Sequence, residues 1–349
     1  MKHLFIGLDV HKKTWAVTIQ EENIILKRFS IEADAEILIN YISKHYSSHQ
    51  VQCCYESCCC GFHIYHSLCK AGWDVLVVNP GDIPRSNKQS STKTDKVDSA
   101  YLARQLASGH LRSIYIPNHK QEQFRSLFRR RNDLVKNLRR IKCHIKSMLL
   151  YYGIDLPEAY DNVNWSKDMI QWLHKVKWSH APATISLKSR LEEYAFLRKE
   201  YLHVGNELRA YARKHYRKDY YLLRSIPGVG PLTAIGLLAE VGDIRRFQGI
   251  DRLSSYVGLV PSIHNSGEKN YSRGITYRSK NLLRSYLIEA AWIAAKKDPA
   301  LMEYYQQRKG CDHKKLIIKM AAKTLNRIYH VIKTGEPYQI TETVSSAAE

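Results

Sequence analysis

The chain has 349 residues, 44% hydrophobic and 25% charged, which allows two or three domains and a sizeable buried core. No apolar run approaches the roughly 18 residues of a membrane span; the best, 282–295, is broken by Arg284 and Glu289, and Asp9 interrupts any signal-like amino terminus. The formal net charge is +21, yet residues 1–100 hold 11 Lys/Arg and 11 Asp/Glu, so the entire excess lies after residue 100. A basic body on a neutral domain points to a polyanion, with nucleic acid ahead of a membrane surface.

In chain order, LFIGLDV, TWAVTI and IILKRFS read as three leading strands, followed by a helix around 34–45. A short strand at 51–55, a helix to Lys70, the apolar strand DVLVVNP at 74–80 and a helix at 94–108 complete a mixed α/β sheet domain. Over 118–150, positions 124, 127, 131, 134, 138, 141, 145 and 148 alternate spacings of three and four, and only Arg131 breaks their apolar seam. A second seam runs Leu187, Leu191, Tyr194, Leu197, Tyr201, Val204, Leu208, Tyr211. Two such stripes predict an antiparallel coiled coil, within the chain or between chains, with about 151–183 as a hairpin cap. The later residues read as mainly helical, ending in a tail. The division expected is 1–117, 118–217, 218–340 and a tail at 341–349.

Eight cysteines raise the question of zinc or disulfides. Cys53, Cys54, Cys58, Cys59 and Cys60 do not follow the paired CxxC spacing of a structural zinc site. They read as small, half-buried residues at a strand end and a helix start.

Four carboxylates stand out. Asp9 lies inside an apolar strand, where a charge is costly unless compensated. Glu56 ends the strand VQCCYE, and Asp95 and Asp98 stand three apart at a helix start. Such positions can converge on an α/β sheet, and a hard divalent cation relieves the repulsion among them. Taken singly, bland readings compete: an ion pair of Asp9 with Lys12 or Lys13, a helix cap for Asp95, plain exposure for Glu56 and Asp98.

The basic residues suggest backbone contact. Residues 118–150 hold ten Lys/Arg, among them Arg129, Arg130, Arg131, Arg139 and Arg140, against Glu122 and Asp133. Lys315, Lys319, Lys323 and Arg327 repeat every fourth residue as a ridge. IPGVG at 226–230 resembles a helix-hairpin-helix turn, in which Gly228 and Gly230 would let backbone N–H groups approach a phosphate; a plain αα-turn is the competing reading.

GLDVHK, YES and KTDKVDSAYLA, followed by IPGVGPLTAIGLLAEVGD, LSSYVGLVPSIHNSGEKNYSRG and RSKNLLRSYLIEAAW, resemble the DEDD insertion-sequence transposases in order across nearly the whole chain. That family includes the Piv-type invertases and the bridge-RNA-guided serine recombinases. The resemblance implies a RuvC-like (RNase H-like) domain, a coiled coil and a helical serine-bearing domain. It implies that Asp9, Glu56, Asp95 and Asp98 are catalytic ligands of Mg²⁺ or Mn²⁺. It also implies that Ser266 is the nucleophile, with Lys269, Arg273, Arg278 and Lys280 as cations close in sequence. Donor and target DNA, a guide (bridge) RNA and a homodimer or homotetramer are the expected partners, in a bacterial cytoplasm at the nucleoid, with no membrane. The alternatives are a metal-only Holliday-junction resolvase-like nuclease and a non-catalytic nucleic-acid-binding protein.

Overall fold

The computed structural model describes residues 2–83, 95–162, 164–266, 269–275, 280–308, 310 and 312–340; at 95–96, 261–266 and 269–275 it describes the backbone alone. Two compact units divide at Ile116 and Pro117.

The first unit begins with β1 (Lys2–Val10), β2 (Thr14–Glu21) and β3 (Ile24–Glu32), followed by α1 (Ala35–His45) and β4 (His49–Glu56). Then come α2 (His63–Lys70), β5 (Asp74–Val78) and α3 (Asp95–Ala107). The five strands form one sheet in the order β3-β2-β1-β4-β5. The first three form an antiparallel meander, while β4 and β5 are parallel to β1. This mixed sheet is consistent with the RuvC-like domain that the resemblance implies.

Strand periodicity divides the sheet into two faces. Leu4, Ile6, Leu8 and Val10 of β1, with Val51, Cys53 and Tyr55 of β4, point into a core shared with α1 and α2. The opposite face, carrying Phe5 and Cys54, packs against Leu102 and Leu106 of α3. α3 lies directly on β1 at Gly7, where a Cβ would collide with the Ser99 carbonyl and the Ala103 amide. Only glycine admits so close a helix. Thr18, the β2 partner of Gly7, adds a 2.9 Å hydroxyl–hydroxyl bond to Ser99.

The second unit contains α4 (His119–Tyr151), α5 (Lys167–Lys175), α6 (Ala181–His215), α7 (Arg217–Ser225), α8 (Pro231–Glu240) and α9 (Ile250–Val257). A hairpin of β6 (Pro261–Ser266) and β7 (Lys269–Ile275) follows, then α10 (Asn281–Lys297), α11 (Pro299–Gln306) and α12 (His313–Thr334). α4 and α6 pack antiparallel: Phe124 stacks on Tyr211, Arg131 meets Tyr201, and Met148 near the end of α4 meets Ser186 near the start of α6. The same apolar core continues from this pair through α7–α10 to Ile332 of α12. The helical reading of the C-terminal region omits the β6–β7 ribbon, whose apolar positions are few and separated by polar ones. Among the described residues no helix is long and apolar enough to cross a membrane.

Candidate active site

Asp9 stands next to the last residue of β1 and Glu56 ends β4. The parallel register pairs Leu8 with Tyr55, so Asp9 and Glu56 are the next step on neighbouring strands. Leu8 and Tyr55 face the α1/α2 core, and alternation therefore turns Asp9 and Glu56 to the α3 face. The Asp9 side chain keeps 22% of its surface, and His11 Nε2 lies 3.4 Å from its Oδ2. Glu56 is half-buried, and its charge adds to burial in pushing the Cys54 thiol far above the ordinary range.

The direction of α3 decides where its two aspartates stand. Ser99 and Ala103 lie on Gly7, whereas Ala107 lines one cleft together with Lys2, His3 and Phe5 at the start of β1. α3 therefore runs antiparallel to β1, and its first turn, which carries Asp95 and half-buried Asp98, lies toward the Asp9 end of the strand. All four predicted carboxylate positions share one end and one face of the sheet. The positive N-terminal end of the α3 dipole also favours negative charge there. A set of hard oxygen donors on short side chains, anchored by strand ends and a helix start, suits a hard divalent cation better than a soft metal. The nearby cysteines are free thiols, Cys53 and Cys54 buried, Cys58 and Cys59 exposed.

In the second unit Ser266 closes β6 and pairs across the ribbon with Lys269, so the two flank the hairpin turn. Arg273 lies on β7. Arg278 and the tail at 341–349 lie outside the described residues. Lys280 precedes α10, where burial holds its ammonium below the usual lysine range.

The predicted phosphate-binding cations separate into two groups. Arg130, Arg139, Arg140, Lys315, Lys319 and Lys323 are exposed. Three others are engaged within the protein. Arg131 is 7% exposed, donates 2.9 Å hydrogen bonds to the Tyr201 and Tyr286 hydroxyls, and lies inside the helix seam, so it is no surface contact for nucleic acid. Arg129 spends its guanidinium on both Glu240 oxygens, at 2.7 and 2.9 Å. Arg327 binds buried Asp298 and the Tyr338 hydroxyl, leaving the basic ridge shorter than its four-residue repeat suggested.

Gly228 also departs from expectation. At φ +86°, its missing Cβ makes room for the Ala290 carbonyl and Ala294 of α10, so this glycine serves helix packing rather than a bound phosphate. Gly230, capping α8 in open space, keeps the predicted freedom. Sequence reasoning missed Glu240, a 3%-exposed carboxylate surrounded by Arg129, Arg125 and Lys280. Its only sequence signal is an acid at the end of an otherwise apolar helix.

Two family models match this chain. An IS110-type DEDD transposase model covers residues 6–154, which contain all four carboxylates, and the transposase IS116/IS110/IS902 family model covers 220–306, which contain Ser266. Along both stretches the chain is similar to the IS110-type DEDD transposases. A putative transposase of Sinorhizobium fredii is 28% identical over 83% of this chain and 72% of its own length. The transposase for insertion sequence element IS1111A of Coxiella burnetii is 29% identical over 68% of this chain and 64% of its own length. The pilin gene-inverting protein of Moraxella bovis is 27% identical over 76% of this chain and 74% of its own length.

Proposed function

We propose that this transposase cuts and rejoins DNA through Ser266, assisted by a divalent cation held by Asp9, Glu56, Asp95 and Asp98. The observation that carries the proposal is the gathering of these four positions at one end of the sheet, with Asp9 and Glu56 on adjacent parallel strands. Relatives named as insertion-sequence transposases and a pilin gene-inverting protein support DNA rearrangement as the outcome. When bound, Mg²⁺ or Mn²⁺ would polarise the scissile phosphodiester and stabilise charge on the oxygens that enter and leave. The chain's own carboxylates supply the negative charge that holds and orients the cation.

Ser266 supplies the oxygen that bonds to phosphorus, displacing one DNA oxygen and preserving the bond energy for rejoining. Its hydroxyl proton leaves to solvent, and the displaced DNA oxygen takes up a proton as a free hydroxyl end. Lys269, which flanks the same turn, supplies positive charge to the developing oxyanion. Donor DNA, target DNA and a guide RNA would be the partners, with the chain acting as a homodimer or homotetramer. The α4/α6 pair would serve as the coiled coil of that assembly.

The test is to incubate wild type and Ser266→Ala with labelled DNA and Mg²⁺, denature, and look for DNA that migrates with protein. Wild type should give an adduct mapping to the Ser266 peptide, and the alanine variant none. Cleavage by the variant at the wild-type rate, without adduct, would assign the chain to the metal-only nuclease reading instead.

A further inference from the structure

The exposed face of α4 borders a groove of about 820 Å³ that the proposed chemistry does not use. Arg139, Lys142 and Lys146 line one wall, Asp161 the other, with Trp165 and Tyr201 at the base. Asp161 is the single carboxylate among the described lining residues, against three cations, and Lys146 already meets it at 2.8 Å. The Lys142 ammonium lies 5.5 Å over the Trp165 ring and 5.8 Å from that of Tyr194, which directs its stem and aims its charge. Arg198 of α6 fixes this base by donating to the Trp165 carbonyl and the Tyr194 hydroxyl, both at 3.2 Å. Burial, together with the positive charge of Arg198 and Lys146, lowers the Lys142 ammonium below the usual range, the mark of a site that an anion would relieve.

We infer that this groove is a binding site for the phosphodiester backbone of a nucleic-acid strand, seated on Arg139, Lys142 and Lys146. Residues 139–146 cover about 10 Å of helix axis. A nucleic-acid strand carries one charge per nucleotide, so a row of this length can meet more than one successive phosphate. A surface carboxylate of a protein partner offers no such linear density. The inference rests on the nucleic-acid reading above, but it concerns binding away from the chemistry. A strand of guide RNA and a DNA duplex present the same backbone, and experiment separates them.

The test is anisotropy titration of the full chain with labelled oligouridylate and with labelled random-sequence duplex DNA, over a series of salt concentrations. Lys142→Gln with Lys146→Gln should weaken binding to at least one probe by about tenfold or more. The salt slope should fall by roughly 1.4 units on the single strand or 1.8 on the duplex, the value for two neutralised phosphates. Asp161→Asn, at a 67%-exposed side chain, leaves the fold intact and should tighten the same probe about threefold, the size of one screened surface charge. The probe that responds identifies the strand. Unchanged affinity and slope for both probes in both variants would overturn the inference, as would competition by polyglutamate stronger than by either nucleic acid. Binding through this groove by a chain that leaves DNA uncut would count against the recombinase reading alone.

Discussion

The sheet unit and the helical unit treat their charged residues in opposite ways. Asp9, Glu56, Asp95 and Asp98 are scattered over ninety positions, yet strand register and one antiparallel helix bring them to a common end of the sheet. The arginines of α4 are clustered in sequence, yet their fates diverge: Arg130 is exposed, Arg129 grips Glu240, and Arg131 is buried under two tyrosine hydroxyls. Side-chain length explains the difference. An aspartate reaches little beyond its backbone, so the fold places its charge. An arginine has a long stem and five donors, and it takes whichever acceptor a neighbouring helix offers.

The sharpest way to break this contrast is at Asp9. Asp9→Asn removes charge while keeping shape, and it should reduce Mg²⁺-dependent strand cleavage by roughly a hundredfold or more, with nucleic-acid binding retained. Normal recombination by this variant would show that the gathered carboxylates are not a metal site.

Gly7→Ala probes the packing that aims α3. The added methyl meets backbone, which cannot swing aside, so a loss of about 1–3 kcal/mol in urea unfolding is expected. Stability equal to wild type would mean that α3 does not press on β1 at Gly7.

The helical unit predicts a separation of stability from binding. Arg131→Met should cost about 2 kcal/mol, because Tyr201 and Tyr286 lose a buried partner, while the salt dependence of DNA binding stays the same. Lys315→Gln, Lys319→Gln and Lys323→Gln together should do the reverse. Stability should change by less than about 0.5 kcal/mol per site, and the salt slope should fall by roughly 0.9 unit for each phosphate left without its cation. A slope change in the Arg131 variant would return that residue to the surface.

The smallest effect concerns the thiols. Iodoacetamide on the native chain should label exposed Cys58 and Cys59 and leave Cys53 and Cys54 unmodified, since burial disfavours both access and the thiolate. Labelling of the buried pair before unfolding would contradict the packed core under β4.

The sequence by itself determined the strands of the sheet and the two long helices with their seams, because period is a local pattern, and its motifs singled out the four carboxylates proposed as the metal site. It also confined the excess positive charge to the part after residue 100. Tertiary structure alone decided that Gly7 lets α3 lie on β1, and therefore that Asp95 and Asp98 stand at Asp9's end of the sheet. It alone buried Arg131, paired Arg129 with Glu240 and Arg327 with Asp298, and gave Gly228 to α10. The groove over Trp165, whose walls come from α4 and the distant segment around Asp161, was likewise set by packing. These outcomes depend on which surfaces meet across long stretches of chain, and no local pattern records the partner that a long side chain or a bare backbone will find.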